Sequence, residues 1–361
     1  MKFEAVTIKD IAKALGLSTS TVSRALRDSY EISPETKKLV LECAEKLNYR
    51  PNPIALSLKE RRSRSIGVVV CEIANSFFSQ VINGIESVAY DRGYNVIISQ
   101  SRESYEREVM DLQYLASRSV DGLLISVSTE TNDISHLKAL HEKGLPIVFF
   151  DRVSDAITTH SVIVDNFRGA YEATEHLINN GYKRIAAIAN SEFLSITIER
   201  LAGYREALAA NNILYDPSLV QHCFYGGMIF SEIEEAVNNL FTNKQKPDAI
   251  FATSDKLSTG CLKTLKRRGM QIPEEIALAG FSNSDVVELM EPSLTVVRQP
   301  ALEMGQAATE LLLQLIESKR PIKQFEKRVM TPELVIGKSS LPRVEKTLNT
   351  QHSTLKLSEK G

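Results

Sequence analysis

Cysteine is scarce in this chain, with four in 361 residues, at Cys43, Cys71, Cys223 and Cys261. No two stand at a C-x-x-C spacing, which argues against a metal cluster and for reduced thiols packed as small hydrophobes. Also missing is any run of about 18 apolar residues, the length a helix needs to cross a bilayer. The opening MKFEAVTIKDIAK carries charges where a secretion signal needs an apolar stretch. A cytoplasmic chain is therefore expected, with no membrane partner. Enzyme signatures are absent too. No G-x-G-x-x-G follows an apolar run, and no G-x-S-x-G occurs. Gly337-Lys338-Ser339 looks like the end of a phosphate loop, but Pro332 stands where the leading glycine belongs, and His141-Glu142 lacks the second histidine of a zinc helix. Although fold alone excludes no chemistry, no catalytic residue, cofactor or metal is expected.

What is present begins at residues 7–26, TIKDIAKALGLSTSTVSRAL. Thr7 and Asp10 have the three-residue spacing of a capping box, which satisfies free N–H groups at a helix start. Ile8, Ile11, Ala12 and Leu15 recur at helical spacing, so one face is apolar. Gly16 then supplies the backbone angles of a sharp turn. Ser18 caps a second helix in which Val22, Ala25 and Leu26 face inward, while Thr19, Ser20, Ser23 and Arg24 face out. Short polar residues followed by an arginine suit base edges and phosphates. The segment reads as a helix-turn-helix, a motif that also occurs as ordinary packing.

The next forty residues favour DNA. Ser33-Pro34-Glu35-Thr36 pairs an N-cap with proline at the first helical position, which predicts a third helix with an apolar stripe of Leu39, Val40, Cys43, Ala44 and Leu47. Residues 1–65 hold 13 Lys and Arg against 8 Asp and Glu, a net of +5, which leaves −7 for the remainder of a chain whose total is −2. A basic head on an acidic body is the footprint of a nucleic-acid binder.

With these residues the chain resembles the lac repressor/galactose repressor (LacI/GalR) family of transcriptional regulators. The matching segments are TIKDIAKALGLSTSTVSRAL, SPETKKLVLECAEKLNYRPN, the linker IALSL and the strand SIGVVV. Further on come ANSFF, RGYNVIIS, VDGLLI, FFDR, VDNFRGAYEATEHLINNGYKRIAAI, RLAGYREAL, PDAIFATSD and PSLTVVRQP, in family order. The resemblance spans roughly residues 5–340, and the head motifs are its most specific part.

In the linker, Asn52 and Pro53 form a good helix start, and Ile54–Leu58 follow before the charged KERRSR. So short a helix is marginal alone and orders only against something else. The resemblance implies paired hinge helices of a dimer in the minor groove, with Leu58 as the wedge between base steps and Ala55 beside it. Leu56 departs from the family, where arginine or glutamine is usual.

From residue 65 short apolar runs alternate with amphipathic stretches. The runs are SIGVVV, YNVIIS, DGLLISV, PIVFF, SVIV, RIAAIA, LVQHC, DAIFA, IALAGF and LTVV. The stretches are 77–92, 106–118, 168–180, 198–211, 229–242, 256–268 and 301–318. Such alternation indicates parallel sheets covered on both faces. About 275 residues exceed one core, so two doubly wound lobes are expected, with ligand bound in the cleft beyond the strands' carboxyl ends. The resemblance implies the same periplasmic-binding-protein-like architecture, with chain crossings near 162, 291 and 325. The expected domains are a head at 1–50, a hinge and linker at 51–64, a two-lobed ligand-binding and dimerisation body at 65–340, and a disordered tail at 341–361. Leu341, Leu348 and Leu355 are seven apart, but two heptads are too few for a coiled coil, so a homodimer is expected.

Phe77, Phe78, Asp151, Arg152 and Asp255 follow strands and are candidates for the cleft, as is Arg200, which opens a helix of the second lobe. Acids and arginines beside aromatic rings suit a polyhydroxylated ligand. Among the family's effector residues, matches fall on Phe77, Phe78, Asp151, Arg200 and Asp255, with Tyr225 a looser aromatic one. The expected effector is a sugar or sugar derivative, and the expected function is repression of carbohydrate-metabolism genes. Ser282-Asn283 departs from the one or two acids usual after the IALAGF strand, which slightly raises the case for an acidic or phosphorylated ligand. The expected mechanism is ligand-gated binding to a near-palindromic operator. Thr19, Ser20 and Arg24 would read bases. Thr7, Ser18, Thr21, Ser23, Ser33, Thr36, Tyr49 and Asn52 would hold phosphates. The rival reading is a sugar-binding protein with no transcriptional role.

Overall fold

A computed structural model describes residues 6–50, 62–242 and 245–342. The proposed hinge residues Asn52, Ala55 and Leu58, and nearly all of the tail beyond Leu341, lie outside the described residues. Two compact units emerge, one comprising the head through Ser65 with the short segment 119–121, the other the remaining body.

Three helices make the head: Ile8–Leu15, Thr19–Ala25 and Pro34–Lys46. Asp10 starts the first, accepting from the Thr7 N–H at 2.8 Å and the Thr7 hydroxyl at 2.7 Å. These bonds hold its carboxyl below the ordinary range. Gly16 ends the helix at φ +66°, a left-handed conformation that glycine adopts without a Cβ penalty. Ser18 and Ser33 cap the next two helices, accepting from Thr21 N at 3.0 Å and Thr36 N at 3.3 Å. Ile11, Val22 and Val40 are fully buried at the centre, with Ala12, Ala25 and Ala44 around them. Leu39 is a correction. It lies outside the stripe centred on Val40 and Ala44 and is 56% exposed.

The body contains two six-stranded sheets. The first lobe orders them β11-β5-β4-β3-β1-β2, with β1 Ser65–Val70, β2 Asn95–Gln100, β3 Gly122–Ile125, β4 Ile147–Phe150, β5 Ser161–Val164 and β11 Lys327–Met330. The second repeats the plan as β12-β10-β9-β8-β6-β7, with β6 Ile185–Ala189, β7 Val220–His222, β8 Ala249–Ala252, β9 Ala277–Phe281, β10 Thr295–Arg298 and β12 Glu333–Val335. Parallel pairing dominates, and edge strand β12 runs antiparallel to β10. Continuous burial of β3, β4, β6, β8 and β9 is the consequence of helices on both faces.

The chain changes lobe after β5, between β10 and the helix Ala301–Glu317, and between β11 and β12. Those crossings fall near 165, 299 and 331 rather than 162, 291 and 325, because strand hydrogen bonding persists through Val164, Arg298 and Met330. Residue 291 belongs instead to the turn before β10. Strands β11 and β12 and the helix Ser135–Glu142 were not anticipated. Both strands are short edge pieces, KRVM and ELV, without an apolar run.

Glycine sets how closely helices approach. A Cβ on Gly84, in Ser76–Asp91, would stand 2.0 Å from the Leu302 carbonyl oxygen, and one on Gly305 would stand 2.1 Å from that of Val81. The two helices therefore cross with their backbones in contact over β1, β3 and β4, and side chains from both fill the first lobe's core.

Candidate functional site

In the head, Thr7, Ser18, Thr19, Ser20, Arg24 and Ser33 are exposed, and Thr21, Ser23, Thr36 and Tyr49 are half-buried. Several hydroxyls are tied into local bonds that fix their direction. Ser18 Oγ lies 2.7 Å from Ser20 Oγ and 2.8 Å from Thr21 Oγ1, and Arg27 donates to Ser23 Oγ at 2.8 Å. Arg24 pairs with Glu31 at 2.8 Å, both half-exposed, so the guanidinium is held lightly and can exchange a carboxylate for a phosphate or base. Tyr49 packs its ring against the core of the head, and that burial raises its hydroxyl pKa. Tyr30 is 93% exposed in the turn before the third helix, and nothing in its sequence pattern had singled it out.

In the body the candidates gather where both lobes end their strands. Arg200 sits in the second turn of the helix Ser195–Ala210, not at its opening. It is buried, donating through Nε to Asn166 Oδ1 at 2.8 Å and through Nη1 to the Thr253 carbonyl at 2.5 Å, with Gln299 Oε1 3.4 Å from Nη2. Its guanidinium lies 3.8 Å over the Phe281 ring. Burial lowers its pKa to about 10, so it remains a cation at neutral pH. Across from it, Asp151 follows β4 at φ +59°, a strained conformation for a residue with a Cβ. Ser126 donates to Asp151 at 3.4 Å, and burial raises the carboxyl pKa against the pull of Arg152 and Arg200. Asp255 begins a helix after β8 and accepts from the Ser282 hydroxyl, and burial raises its pKa as well. Beside Arg200, Thr253 Oγ1 and Gln299 Nε2 are buried without a hydrogen-bond partner.

Arg152 has a different engagement. Its Nη1 and Nη2 donate to Glu103 at 2.6 and 3.0 Å, and Glu103 also accepts from Thr129 N at 2.8 Å. Burial works against the Glu103 carboxylate, yet the guanidinium outweighs it and holds the pKa below the ordinary range. Glu103 was missed because its partner is 49 residues away and no local pattern marks it. Phe77 and Phe78 are nearly fully buried, edge-to-face at 5.2 Å, and Phe78 meets Phe150 at 6.5 Å, so both rings belong to the first lobe's hydrophobic core. Tyr225 is half-exposed in a loop whose backbone N–H groups at Phe224 and Tyr225 donate to Glu232. Phe224, equally exposed beside it, had not been singled out.

The phosphate-loop look-alike is a docking segment. Ser339 and Ser340 are fully buried: Ser339 Oγ donates to the Leu278 carbonyl at 2.5 Å, and Ser340 Oγ lies 2.8 Å from His176 Nε2. Burial raises the thiol pKa of Cys71 and Cys261 and pushes Cys223 up to about 12. No helix among the described residues is long and apolar enough to cross a membrane.

Residues 7–52 match the model of bacterial regulatory proteins of the lacI family. Residues 63–331 match that of periplasmic binding proteins and the sugar binding domain of the LacI family. The chain belongs to the LacI family. It is a DNA-binding transcriptional regulator, with the helix-turn-helix at its head and the family's two-lobed domain as its body. The HTH-type transcriptional repressor PurR of Vibrio campbellii is 32% identical over 332 residues, covering 91% of this chain and 97% of that one. PurR of Aliivibrio fischeri is 33% identical over 345 residues, 94% of this chain and 99% of that one. Among solved structures, the lac repressor dimer bound to operator and the anti-inducer ONPF superposes with TM-score 0.79 at 26% identity, covering 94% of this chain and all of that one. A complex of the transcriptional regulator CelR with cellobiose superposes with TM-score 0.68 at 30% identity, covering 92% and 99%.

Proposed function

We propose that this LacI-family regulator is a repressor that grips near-palindromic operator DNA as a homodimer, and that an uncharged, polyhydroxylated small molecule in the cleft alters that grip. Thr19, Ser20 and Arg24 read base edges in the major groove. Thr7, Ser18, Thr21, Ser23, Ser33, Thr36, Tyr49 and Asn52 hold the phosphates, and Ala55 and Leu58 enter the minor groove. The operator-bound lac repressor dimer and the repressor PurR support this half of the reading.

The arrangement of charge around Arg200 carries the ligand half. Glu103 is spent on Arg152, and Glu72 on Lys256 at 2.9 Å. Two buried carboxylates, Asp151 and Asp255, are left with a hydroxyl donor each at hydrogen-bond distance; Arg152 Nε stands 3.9 Å from Asp151, and Arg200 lies nearby with the unpartnered Thr253 and Gln299 groups. Hydroxyls that donate to the carboxylates and accept from Arg200 satisfy this set, and the Phe281 ring lies against the Arg200 guanidinium at 3.8 Å. A phosphorylated or acidic sugar would place another anion beside Asp151 and Asp255, and this outweighs the loss of acidic residues at Ser282-Asn283. Cellobiose, the ligand in the CelR complex, is of the uncharged kind.

The reading is tested by thermal melting against neutral, acidic and phosphorylated sugars. A neutral sugar present at 100 times its dissociation constant should stabilise the protein by about 2.7 kcal/mol. Stabilisation by phosphorylated sugars alone would overturn the assignment of charge.

A further inference from the structure

Among the described residues, facing edges of the two lobes meet at several places. Gln80 and Asn283 exchange a reciprocal pair: Gln80 Nε2 donates to the Asn283 carbonyl at 3.1 Å, and Asn283 Nδ2 donates to Gln80 Oε1 at 2.9 Å. Asn283 also fastens to the crossover residue Gln299, donating to its carbonyl at 2.7 Å and accepting its N–H at 3.1 Å. A second bridge joins Lys256 Nζ to Glu72 Oε2 at 2.9 Å. At a third point Gly226 brings second-lobe backbone so close to Glu103 that a Cβ would stand 3.0 Å from Oε1.

These contacts differ in leverage. Strands β5, β10, β11 and β12, which lead into or out of the crossovers, lie together at one edge of each sheet, so the lobes pivot there. Asn283 bonds the crossover itself, so the amide pair sits at the pivot and changes little when the lobes part. Glu72 follows β1 and Lys256 follows β8, strands standing well in from that edge. Opening therefore separates these two charges farther than it separates the amides. Lys256 is also the immediate neighbour of Asp255, so a ligand hydroxyl on Asp255 acts on the same helical turn as the bridge. The departure at Ser282-Asn283 gains a reason here. The side-chain amide at 283 donates to Gln80 Oε1 and to the Gln299 carbonyl, which a carboxylate cannot do.

We propose that Glu72 and Lys256 are positioning residues that latch the lobes and set the closed width of the ligand cleft, with Gln80 and Asn283 as the pivot contact. The latch belongs to lobe geometry and is independent of which sugar binds. The pair is partly buried, its side chains 17% and 33% exposed, so it is strong enough to bias an open–closed equilibrium and accessible enough to feel salt.

The test is hydrogen–deuterium exchange of the full chain alone, in low and high salt, for the wild type, Glu72→Gln, Lys256→Met and the exchanged pair Glu72→Lys with Lys256→Glu. Each single variant should speed exchange of the cleft segments 72–78 and 225–229 by about two- to five-fold, the range of a partly exposed ion pair. Core strands should be unaffected, and the exchanged pair should restore protection. High salt should reproduce the effect in the wild type and add nothing to the single variants, a readout that survives even if one variant folds poorly. Unchanged cleft exchange in both single variants, no rescue by the exchanged pair, or a wild type indifferent to salt would each overturn the latch.

Discussion

Glu103→Gln should cost this protein far more than a surface carboxylate would. The Glu103 carboxylate takes two charge-assisted bonds from Arg152, at 2.6 and 3.0 Å, and one from the Thr129 backbone N–H at 2.8 Å, with both side chains under a tenth exposed. A glutamine keeps one acceptor and turns the other towards a donor. Arg152 then loses its closest counter-charge, its Nε being already without a hydrogen-bond partner and Asp151 standing 3.9 Å away. Breaking a buried pair by removing one partner typically costs about 3–5 kcal/mol, because a desolvated charge is stranded. Set against a whole-domain stability of about 5–15 kcal/mol, that is a large share. Removing both charges in Glu103→Gln/Arg152→Met should recover at least half the loss. Urea unfolding of the wild type, both single variants and the double variant closes the cycle. A Glu103→Gln cost below about 1 kcal/mol, or a double variant as unstable as the sum of the singles, would refute the reasoning.

Other expectations are as direct. Arg24→Ala should weaken specific operator binding by about 1–3 kcal/mol with little change in melting temperature, since its exchange with Glu31 is a surface pair; electrophoretic mobility shift measures the first and thermal melting the second. Ser18→Ala should destabilise the head by about 1 kcal/mol by removing the cap on Thr21 N, read in calorimetry of the full chain. Gly305→Ala, placing a methyl 2.1 Å from the Val81 carbonyl, should lower body stability by more than about 1 kcal/mol, and an unchanged melting temperature would contradict the helix crossing. Burial raises the pKa of Asp151 and Asp255, so the folded chain binds their protons more readily than the unfolded one. Their contribution to stability therefore rises as pH falls through those raised values, while a hydroxyl ligand donating to the carboxylates binds more weakly over the same window. His176 and His160 have the opposite sign. Burial lowers their pKa, so their contribution is present above about 6.5 and is lost as pH falls below it, which a pH series of unfolding curves reads.

Much of the fold was legible because its signals are local. Thr7 with Asp10, Gly16, Ser18 and Ser33-Pro34 mark helix ends within four residues of the bonds they make, and β-branched runs such as SIGVVV advertise strands buried on both faces. Leu39 misled because apolar character does not say on which side of a helix a core lies. Strands β11 and β12 were invisible since edge pairing needs backbone, not apolar side chains. At the strand ends, single residues could be named as candidates, but their partners could not. Glu103 with Arg152, Gln80 with Asn283 and Glu72 with Lys256 are 49, 203 and 184 positions apart, and only the folded sheets bring them together.

The central claim is most directly tested by titrating the purified full chain, by fluorescence anisotropy, against DNA from upstream of its own and adjacent genes, across a salt series and with and without neutral sugars. The account predicts sequence-specific binding that weakens steeply as salt rises and that one neutral sugar strengthens or releases. Sugar binding without any specific DNA affinity would contradict it.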